Sequence, residues 1–277
     1  MDPPRFELGT LTILRLFSSR LRKSTFRFMT ARLWVRLRLL KGNRIKTLSF
    51  RKNIKGLCIN QLMPKFHKNI EYYTKTEWTK DTVQEEIDKG LELLNKIDHP
   101  IISFFGSHKL KNTNRYYKHC KKLAFELGKN GYAIISGGGP GIMYASNSGA
   151  TEAGAPSIGL KASLLTKEII TDKIFTHELS FHFMFVRRFI MSIKSDALIF
   201  YPGGYGTLNE LFEYLVLMQT DIVDKVPIIC VNKKYWQGLF KWLKENPDKE
   251  NMFIHDDDLK LIHIVDDIED IMNIIKY

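Results

Sequence analysis

The sequence predicts a doubly wound α/β fold, in which a mostly parallel sheet carries helices on both faces. Two observations predict this fold: short apolar runs of strand length recur along the chain, and amphipathic stretches of helical length separate them. The third observation is size, since 277 residues that are 44% hydrophobic and 26% charged can bury a full core. No stretch approaches the roughly 18 uninterrupted apolar residues of a membrane helix.

The elements follow one another regularly after Glu77. Buried strands are predicted at Ile101–Gly106, Tyr132–Ser136, Ser157–Leu160, Ala197–Tyr201, Pro227–Val231 and Ile262–Val265. Helices are predicted near Asp81–Lys96, Tyr116–Lys129, Gly141–Glu152, Phe183–Lys194, Thr207–Thr220, Tyr235–Glu245 and Ile268–Ile275. Because ligands of such folds bind at the carboxyl ends of the strands, the loops at those ends are the first place to look for a site.

The positive charge of the chain is concentrated at its N-terminus. The formal net charge is +12, yet residues 1–51 hold ten Arg and three Lys against two acidic residues, and the remainder holds 29 basic and 28 acidic residues. The body of the protein is therefore nearly neutral, and the high net charge comes from the N-terminal residues. We expect two regions: an Arg-rich extension at residues 1–75, disordered or not native, and a folded domain at residues 76–277.

Three interpretations of the extension stay open. Residues 14–41 contain no acid and mix apolar residues with Arg, a composition typical of organellar targeting segments and of basic helices at membrane surfaces. Alternatively, the extension is an upstream stretch that precedes a later translation start, for which Met63 is the candidate. Contact with nucleic acid or with a membrane is expected only through residues 1–51.

The cysteines and histidines favour neither a disulfide framework nor a metal site. Cys58, Cys120 and Cys230 are an odd number without a Cys-x-x-Cys pair, and the eight histidines do not cluster at metal-ligand spacings. A reducing compartment fits this usage. We therefore expect a cytoplasmic location, with organellar targeting as the alternative.

The first chemical signal is a glycine-rich loop between a predicted strand and a predicted helix. Residues Ser136–Met143 spell Ser-Gly-Gly-Gly-Pro-Gly-Ile-Met. Glycines let the backbone approach a ligand, and the free N–H groups at a helix start attract an anion such as phosphate. The spacing is not that of the dinucleotide fingerprint, the next strand ends in Lys161 instead of a carboxylate, and no Gly-Lys-Ser/Thr follows. A tight structural turn is the alternative interpretation.

A second glycine-rich loop follows a later strand. Residues Tyr201–Glu210 spell Tyr-Pro-Gly-Gly-Tyr-Gly-Thr-Leu-Asn-Glu. Thr207 is predicted in the first helical turn, where its hydroxyl and the nearby N–H groups can bind phosphate oxygens, and Glu210 lies three residues on along the same face. A carboxylate does not favour phosphate binding, so we expect Glu210 to address another part of the ligand. Glu213 is interpreted as an ordinary solvated helix residue.

Two adjacent arginines, Arg187 and Arg188, lie within a very apolar predicted helix. Guanidinium groups in such surroundings are costly unless they pair with anions. Because adjacent residues of a helix diverge by about 100°, one arginine can face a ligand while the other pairs elsewhere. The alternative is that both side chains extend to water.

Together these motifs resemble the family typified by the plant "Lonely guy" cytokinin-activating enzymes, long described as lysine decarboxylases. The resemblance lies in Ser136–Met143, Phe185–Arg188 and Pro202–Thr220, in this order and spacing, and it covers about residues 98–277. Phrases such as Thr151–Gly154 are more similar to the bacterial branch, which includes nucleotide 5′-monophosphate nucleosidases. The resemblance implies a Rossmann-like fold, a homodimer or larger homo-oligomer, and no metal or organic cofactor. The implied reaction hydrolyses the N-glycosidic bond of purine or cytokinin nucleoside 5′-monophosphates to the free base and ribose 5-phosphate.

The resemblance also implies roles for individual residues. By motif, Arg187 and Glu210 would be the catalytic pair. The implied substrate-binding residues are Ser107, Gly138, Gly139, Gly141, Met143, Glu168, Arg188, Gly203, Gly204, Tyr205, Gly206 and Thr207. The sequence departs from the family pattern at Arg188, where lysine is usual, and at Asn209, where an acid is common, so these two positions bear on substrate preference and rate.

Other classes of function fit the sequence less well. A non-catalytic nucleotide-binding or regulatory protein on the same fold is the main alternative, because phosphate loops bind without reacting. Glu210 argues against it, since a pure phosphate binder has little use for that carboxylate. A lysine decarboxylase would need a lysine for pyridoxal phosphate that the sequence does not identify, and an NAD-dependent oxidoreductase would need the missing fingerprint acid.

Overall fold

The computed structural model describes residues 38–39, 46–47, 72, 74–164, 173–245, 254 and 256–276. The chain divides into two units, Met1–Lys68 and Asn69–Tyr277. In the first unit, the described residues form a short antiparallel pair, Arg38–Leu39 (β1) with Lys46–Thr47 (β2). Met63 and Glu168 lie outside the described residues, so the predictions that concern them, and the predicted nature of the extension, stay predictions.

In the second unit, the described strands form one seven-stranded sheet. The strands are Ile101–Phe105 (β3), Ala133–Ser136 (β4), Ser157–Ala162 (β5), His177–Phe181 (β6), Ser195–Phe200 (β7), Ile228–Val231 (β8) and Ile262–Val265 (β9). Their order is β6-β5-β4-β3-β7-β8-β9, and every neighbouring pair is parallel. The chain thus extends the sheet from β3 in one direction, crosses back to β7, and extends it in the other. The direction of winding reverses between β3 and β7.

The helices cover both faces of this sheet. They are Thr76–Asn95 (α1), Arg115–Lys129 (α2), Ile142–Ala153 (α3), Met184–Ser192 (α4), Tyr205–Gln219 (α5), Lys233–Glu245 (α6), Asp256–Leu259 (α7) and Ile268–Ile275 (α8). Apolar residues of α1, α4, α5 and α6 share one buried cluster with Ile101 and Phe105 of β3. Those of α2, α3 and α8 share a second cluster with Ile102 and Phe104, as the alternation of side chains along a strand requires. The predicted doubly wound α/β fold is confirmed.

Most element boundaries agree with the prediction, and the differences have physical reasons. All six predicted strands are present with ends within two residues of those expected. The strand β6 was not predicted because it is a sheet-edge strand whose five residues, His177–Phe181, alternate in exposure and include only two apolar side chains. Helix α1 begins five residues earlier than expected, at Thr76, and the four-residue helix α7 was not predicted.

Local signals explain where several helices begin and end. The side chain of Asn114 accepts a hydrogen bond from the N–H of Tyr116 at the start of α2, and that of Asp267 does the same for Glu269 at the start of α8. Gly154 ends α3 in the left-handed conformation, with φ +75°. None of the helices in these described ranges is long and apolar enough to cross a membrane.

Candidate active site

A cavity of about 530 Å³ opens where the winding of the sheet reverses. In open α/β sheets, ligands bind at this point, outside the carboxyl ends of the strands. The cavity is lined by the loop after β3, the glycine loop after β4, the end of β5, the start of α4 and the first turns of α5. The lining residues are Gly106, Ser107, His108, Lys109, Gly137, Gly138, Gly139, Met143, Lys161, Ala162, Met184, Arg187, Gly204, Tyr205, Gly206, Thr207 and Glu210.

Ser107 joins the two glycine loops. Its backbone N–H donates to the carbonyl oxygen of Pro202 at 3.1 Å, and its own carbonyl accepts from the N–H of Ile142, the first residue of α3, at 3.1 Å. Gly141 comes just before that helix with φ +71°, and a Cβ on it would overlap the carbonyl oxygen of Ser107. Only glycine fits both conditions, so Gly141 supports the cavity wall without lining the cavity.

The second glycine loop leads into the uncapped start of α5. Gly204 is the N-cap residue and has no side-chain hydrogen bond to cap the helix. The first N–H groups of a helix have no partner within it, so those of the first turn are available to an anion. Thr207 in this turn is buried, and its hydroxyl packs against Gly203, where a Cβ would overlap it. The carbonyl of Gly203 accepts a hydrogen bond from the hydroxyl of Tyr235 at 2.6 Å, which holds the loop from behind.

Glu210 lines the cavity, and the pKa of its carboxyl is shifted far from the ordinary value of 4.5. Burial raises the pKa of its carboxyl to about 7, because desolvation disfavours the charged form. The positive charges of Arg187 and Arg188 lower this pKa, and the negative charge of Glu213 raises it. A carboxyl with a pKa near neutrality can both take up and release a proton under physiological conditions.

Arg187 reaches the cavity from α4 and lies against the first glycine loop. It is 6% exposed, and its Nε donates to the carbonyl oxygen of Leu160 in β5 at 2.6 Å. A Cβ on Gly137 would overlap the Nη2 of Arg187 and lie 2.7 Å from the Sδ of Met143. Gly137 therefore lacks a side chain where the guanidinium passes, which explains one glycine of the first loop.

The neighbouring arginine is directed elsewhere. The Nε of Arg188 donates to a carboxylate oxygen of Glu213 on α5, and neither side chain lines the cavity. The divergence of the two arginines agrees with the angle between adjacent helix residues. The structure does not bring Arg188 to the substrate-binding residues with which it was predicted. The interpretation of Glu213 as an ordinary solvated residue is wrong, since this pair joins α4 to α5 and its side chains are only 18% and 28% exposed.

Most of the predicted site residues come together around the cavity. Those that line it are Ser107, Gly138, Gly139, Met143, Arg187, Gly204, Tyr205, Gly206, Thr207 and Glu210. Gly141 and Gly203 lie directly behind the lining. The lining residues that were not among the predicted site residues are Gly106, His108, Lys109, Gly137, Lys161, Ala162 and Met184. Lys161 and Ala162 could have been found from their place at the end of a predicted strand, and His108 and Lys109 from theirs after Gly106-Ser107.

The cavity suits an anionic ligand. Lys109, Lys161 and Arg187 bring positive charge to its lining. Among the described residues that line the cavity, only Glu210 is acidic. Lys161 is held in place by a 2.6 Å ion pair with Glu178 and by its position 4.9 Å from the centre of the Phe175 ring. Among the residues that the structure describes, no group of three or more His, Cys, Asp or Glu could hold a metal ion.

The fold places the chain in the class of Rossmann-like proteins, with a cavity partly lined by basic residues where the winding of its parallel sheet reverses. A solved structure of this class supports the assignment of the fold: the molybdenum cofactor binding protein from the phototrophic bacterium Rippkaea orientalis has a TM-score of 0.50 and 22% sequence identity. The match covers 65% of this chain and 98% of that one. At this identity, the similarity shows the fold alone.

Sequence comparisons find a family model and several relatives to which the chain is similar. Residues 143–275 match the family model described as possible lysine decarboxylase. The chain is 30% identical over 172 residues to a "Probable cytokinin riboside 5'-monophosphate phosphoribohydrolase" of Oryza sativa subsp. japonica, a match that covers 60% of this chain and 66% of the rice protein. It is 29% identical to the cytokinin riboside 5'-monophosphate phosphoribohydrolase of Mycobacterium tuberculosis, over 54% of this chain and 81% of that protein. The chain spans just under two thirds of the length of the rice relative. The chain is thus similar, over most of its Rossmann-like body, to proteins described as cytokinin riboside 5'-monophosphate phosphoribohydrolases.

Proposed function

We propose that the protein hydrolyses the N-glycosidic bond of purine or cytokinin nucleoside 5′-monophosphates and releases the free base and ribose 5-phosphate. The proposal rests on the carboxyl of Glu210, which has a pKa of about 7 and follows the uncapped first turn of α5 by two residues. The relatives named above, which are described as phosphoribohydrolases of cytokinin riboside 5'-monophosphates, support both the reaction type and the substrate class.

The first turn of α5 binds the 5′-phosphate in this proposal. Its N–H groups at Tyr205, Gly206 and Thr207 lie at the positive end of the helix dipole, and Thr207 adds a hydroxyl. Glu210 lies one turn further along the helix, so a bound phosphate directs the attached ribose towards the carboxyl. This arrangement fixes the distance between the phosphate and the reacting carbon and favours monophosphates over free nucleosides.

Glu210 supplies the chemistry at the ribose. Cleavage of the bond between C1′ and the base nitrogen passes through an oxocarbenium-like state, which an adjacent carboxylate stabilises. Water supplies the oxygen that joins C1′, and Glu210 can accept the proton that this water loses, while the departing base gains a proton at nitrogen. Atoms and charges balance with water as the second substrate, so the proposal includes no metal or organic cofactor.

Arg187 lines the same cavity from α4. Its guanidinium is held by the hydrogen bond to Leu160 and by the close approach to Gly137, so its direction in the cavity is fixed. We propose that it holds the phosphate or the departing base and orients the ribose against Glu210. Its positive charge also lowers the pKa of Glu210 and keeps a fraction of that carboxyl ionised near neutrality.

The proposal is tested by incubating the purified full-length chain with a panel of nucleoside 5′-monophosphates and the matching nucleosides. Free base and ribose 5-phosphate are followed by chromatography. We expect release from purine or prenylated purine monophosphates, and release slower by about a hundredfold or more from the nucleosides, which lack the group that the helix start binds. Nucleotide binding without release from any member would favour the alternative, a non-catalytic nucleotide-binding regulatory protein.

We also propose that the protein forms a homodimer or larger homo-oligomer. Phe185 and Phe189 of α4 and its C-cap residue Ile193 are exposed at four-residue spacing, whereas Val186 and Ile190 on the other face of the helix are buried. Sedimentation of the wild type and of Phe189→Glu measures the assembly. A wild type that sediments as a dimer and a variant that sediments as a monomer support the proposal, and a monomeric wild type at micromolar concentration contradicts it.

A cytoplasmic location is part of the proposal. Cys120 and Cys230 are free and buried, which suits a reducing compartment. Fractionation of cells that express the chain tests the location, and recovery with an organelle would replace it by the targeting interpretation of residues 1–51.

A further inference from the structure

Glu86 lies on α1, outside the cavity and a hundred residues before Arg187 in the sequence. Its carboxylate is buried and accepts hydrogen bonds from the backbone N–H groups of His182 and of Phe183, the latter at 3.1 Å. These two residues come directly before α4, and Phe183, the N-cap residue, has no side-chain cap of its own. A carboxylate from another helix therefore binds the chain at the entry to α4, where the helix dipole favours negative charge.

Two further contacts fix α1 against α4. Gly90 lies one turn after Glu86, and a Cβ on it would be 2.6 Å from both Cγ1 and Cδ1 of Ile190. Beyond the other end of α4, the Nζ of Lys194 donates to the carbonyl oxygens of Leu94 and Ile97, each at 2.8 Å. Helix α1 thus holds α4 at its start, its middle and its end.

We propose that Glu86 is a positioning residue for Arg187, an inference that rests on the role of Arg187 in the proposed function. The N–H of Arg187 donates to the carbonyl oxygen of Phe183 at 3.1 Å, so the residue whose N–H is bound by Glu86 also closes the helical turn that carries Arg187. Glu86 therefore acts on the guanidinium through a single turn of helix.

The far end of Arg187 has little freedom to compensate for a shift of that turn. Its Nε is bound to Leu160, and its Nη2 lies against the backbone of Gly137. Leu160 lies within β5, where it pairs with Leu179 of β6, and Gly137 directly follows β4, so the sheet holds both contacts in place. If the start of α4 moves, the guanidinium must change its direction relative to Glu210, and a misplacement of about 1 Å can lower a catalytic rate by about a hundredfold.

The experiment compares Glu86→Gln with Lys194→Gln in the full-length chain. Both substitutions remove a polar contact between α1 and α4, but Lys194 contacts α1 at the end remote from Arg187. In Glu86→Gln, one amide oxygen still accepts, while the amide nitrogen faces the other N–H and repels it. We expect both variants to lower the melting temperature and only Glu86→Gln to lower kcat, by roughly tenfold or more, with KM changed by less than about threefold.

A spectroscopic readout makes the test independent of turnover. The Nε–H of Arg187 donates to a buried carbonyl, so it should exchange slowly with solvent and give a distinct NMR resonance. We expect Glu86→Gln, but not Lys194→Gln, to shift this resonance and to speed its exchange. Glu86→Asp, which retains the charge with a shorter reach, should recover part of the wild-type behaviour.

The outcomes separate failure of the inference from failure of the proposed function. Equal loss of kcat in both variants, or no loss in either, would mean that Glu86 only stabilises the fold, and the inference would be overturned. If the wild type releases no base, the proposed function fails, and the Arg187 resonance decides the positioning role by itself. An unchanged resonance in Glu86→Gln overturns the inference in either case.

Discussion

Glu210→Gln is expected to lower the rate of base release by at least about a thousandfold while nucleotide binding persists. Glutamine has the same shape, but it can neither carry the negative charge that stabilises an oxocarbenium-like state nor accept a proton from water. Single-turnover assays with saturating nucleotide measure the chemical step, and titration calorimetry measures binding. Base release at the wild-type rate would remove Glu210 from the mechanism.

Glu213→Gln provides the matched control on the same helix. Glu213 lies three residues from Glu210 but pairs with Arg188 outside the cavity, so this variant should retain hydrolysis. In the wild type, activity that requires ionised Glu210 should rise with pH through about 7 and level off above it. Because the charge of Glu213 raises the pKa of Glu210, its removal should move this rise to lower pH. A profile that is flat between pH 5 and 8 would contradict the assigned role.

The same carboxyl should reduce the stability of the folded protein at high pH. The pKa of Glu210 is about 7 in the folded protein against an ordinary value of 4.5, so the folded state binds its proton more tightly than the unfolded state does. The contribution of Glu210 to the free energy of unfolding is therefore greatest below pH 4.5, falls as the pH rises to 7, and is constant above. Glu210→Gln should be more stable than the wild type by up to about 3 kcal/mol at pH 8, a difference that urea titrations at several pH values would follow.

Gly137→Ala is expected to remove most of the hydrolytic activity while the protein stays folded. The added methyl group would overlap the Nη2 of Arg187 and lie 2.7 Å from the Sδ of Met143, so the guanidinium must leave its place against the first glycine loop. The backbone does not resist, since Gly137 is not among the glycines with positive φ. We expect kcat/KM to fall by about a hundredfold, because the guanidinium must leave its fixed direction, and circular dichroism to show that the fold is retained.

Two comparisons make this second prediction specific. Gly238→Ala, in α6, adds a methyl group where no atom lies within 4 Å, and should leave the activity unchanged. Combined with Arg187→Ala, Gly137→Ala should cause no further loss, because both act through the same guanidinium. Additive losses in the double variant would show that Gly137 matters for another reason, such as the path of the backbone around the anion.

The fold could be predicted from the sequence because its strands are buried on both faces. Runs such as Ile101–Phe105 and Ile228–Val231 consist almost entirely of apolar residues, and this composition marks the centre of a parallel sheet. The edge strand His177–Phe181 has half-exposed polar residues, so its pattern does not stand out from a loop. Composition thus identifies the central strands of the sheet, but it does not distinguish an edge strand such as β6 from a loop.

The site could be predicted only as far as local sequence determines it. The glycine loops are visible because their chemistry lies within a few consecutive residues. The partner of Arg188 and the contact of Ser107 with both loops depend on elements far apart in the sequence. Nothing in the residues around Glu86 indicates that its carboxylate binds a chain segment almost a hundred positions later.

The packing of α1 on α4 sets the shortest fragment that can be expected to work. A fragment that begins at β3 would contain every residue that lines the cavity, and one that begins at residue 143 would still contain the whole region matched by the family model. Either fragment would expose Ile190, which lies against Gly90, and would leave the entry to α4 without its carboxylate. A fragment for expression, domain fusion or crystallisation should therefore begin before Thr76, so that it contains α1. The extent of sequence similarity would place the boundary too late, because α1 supports α4.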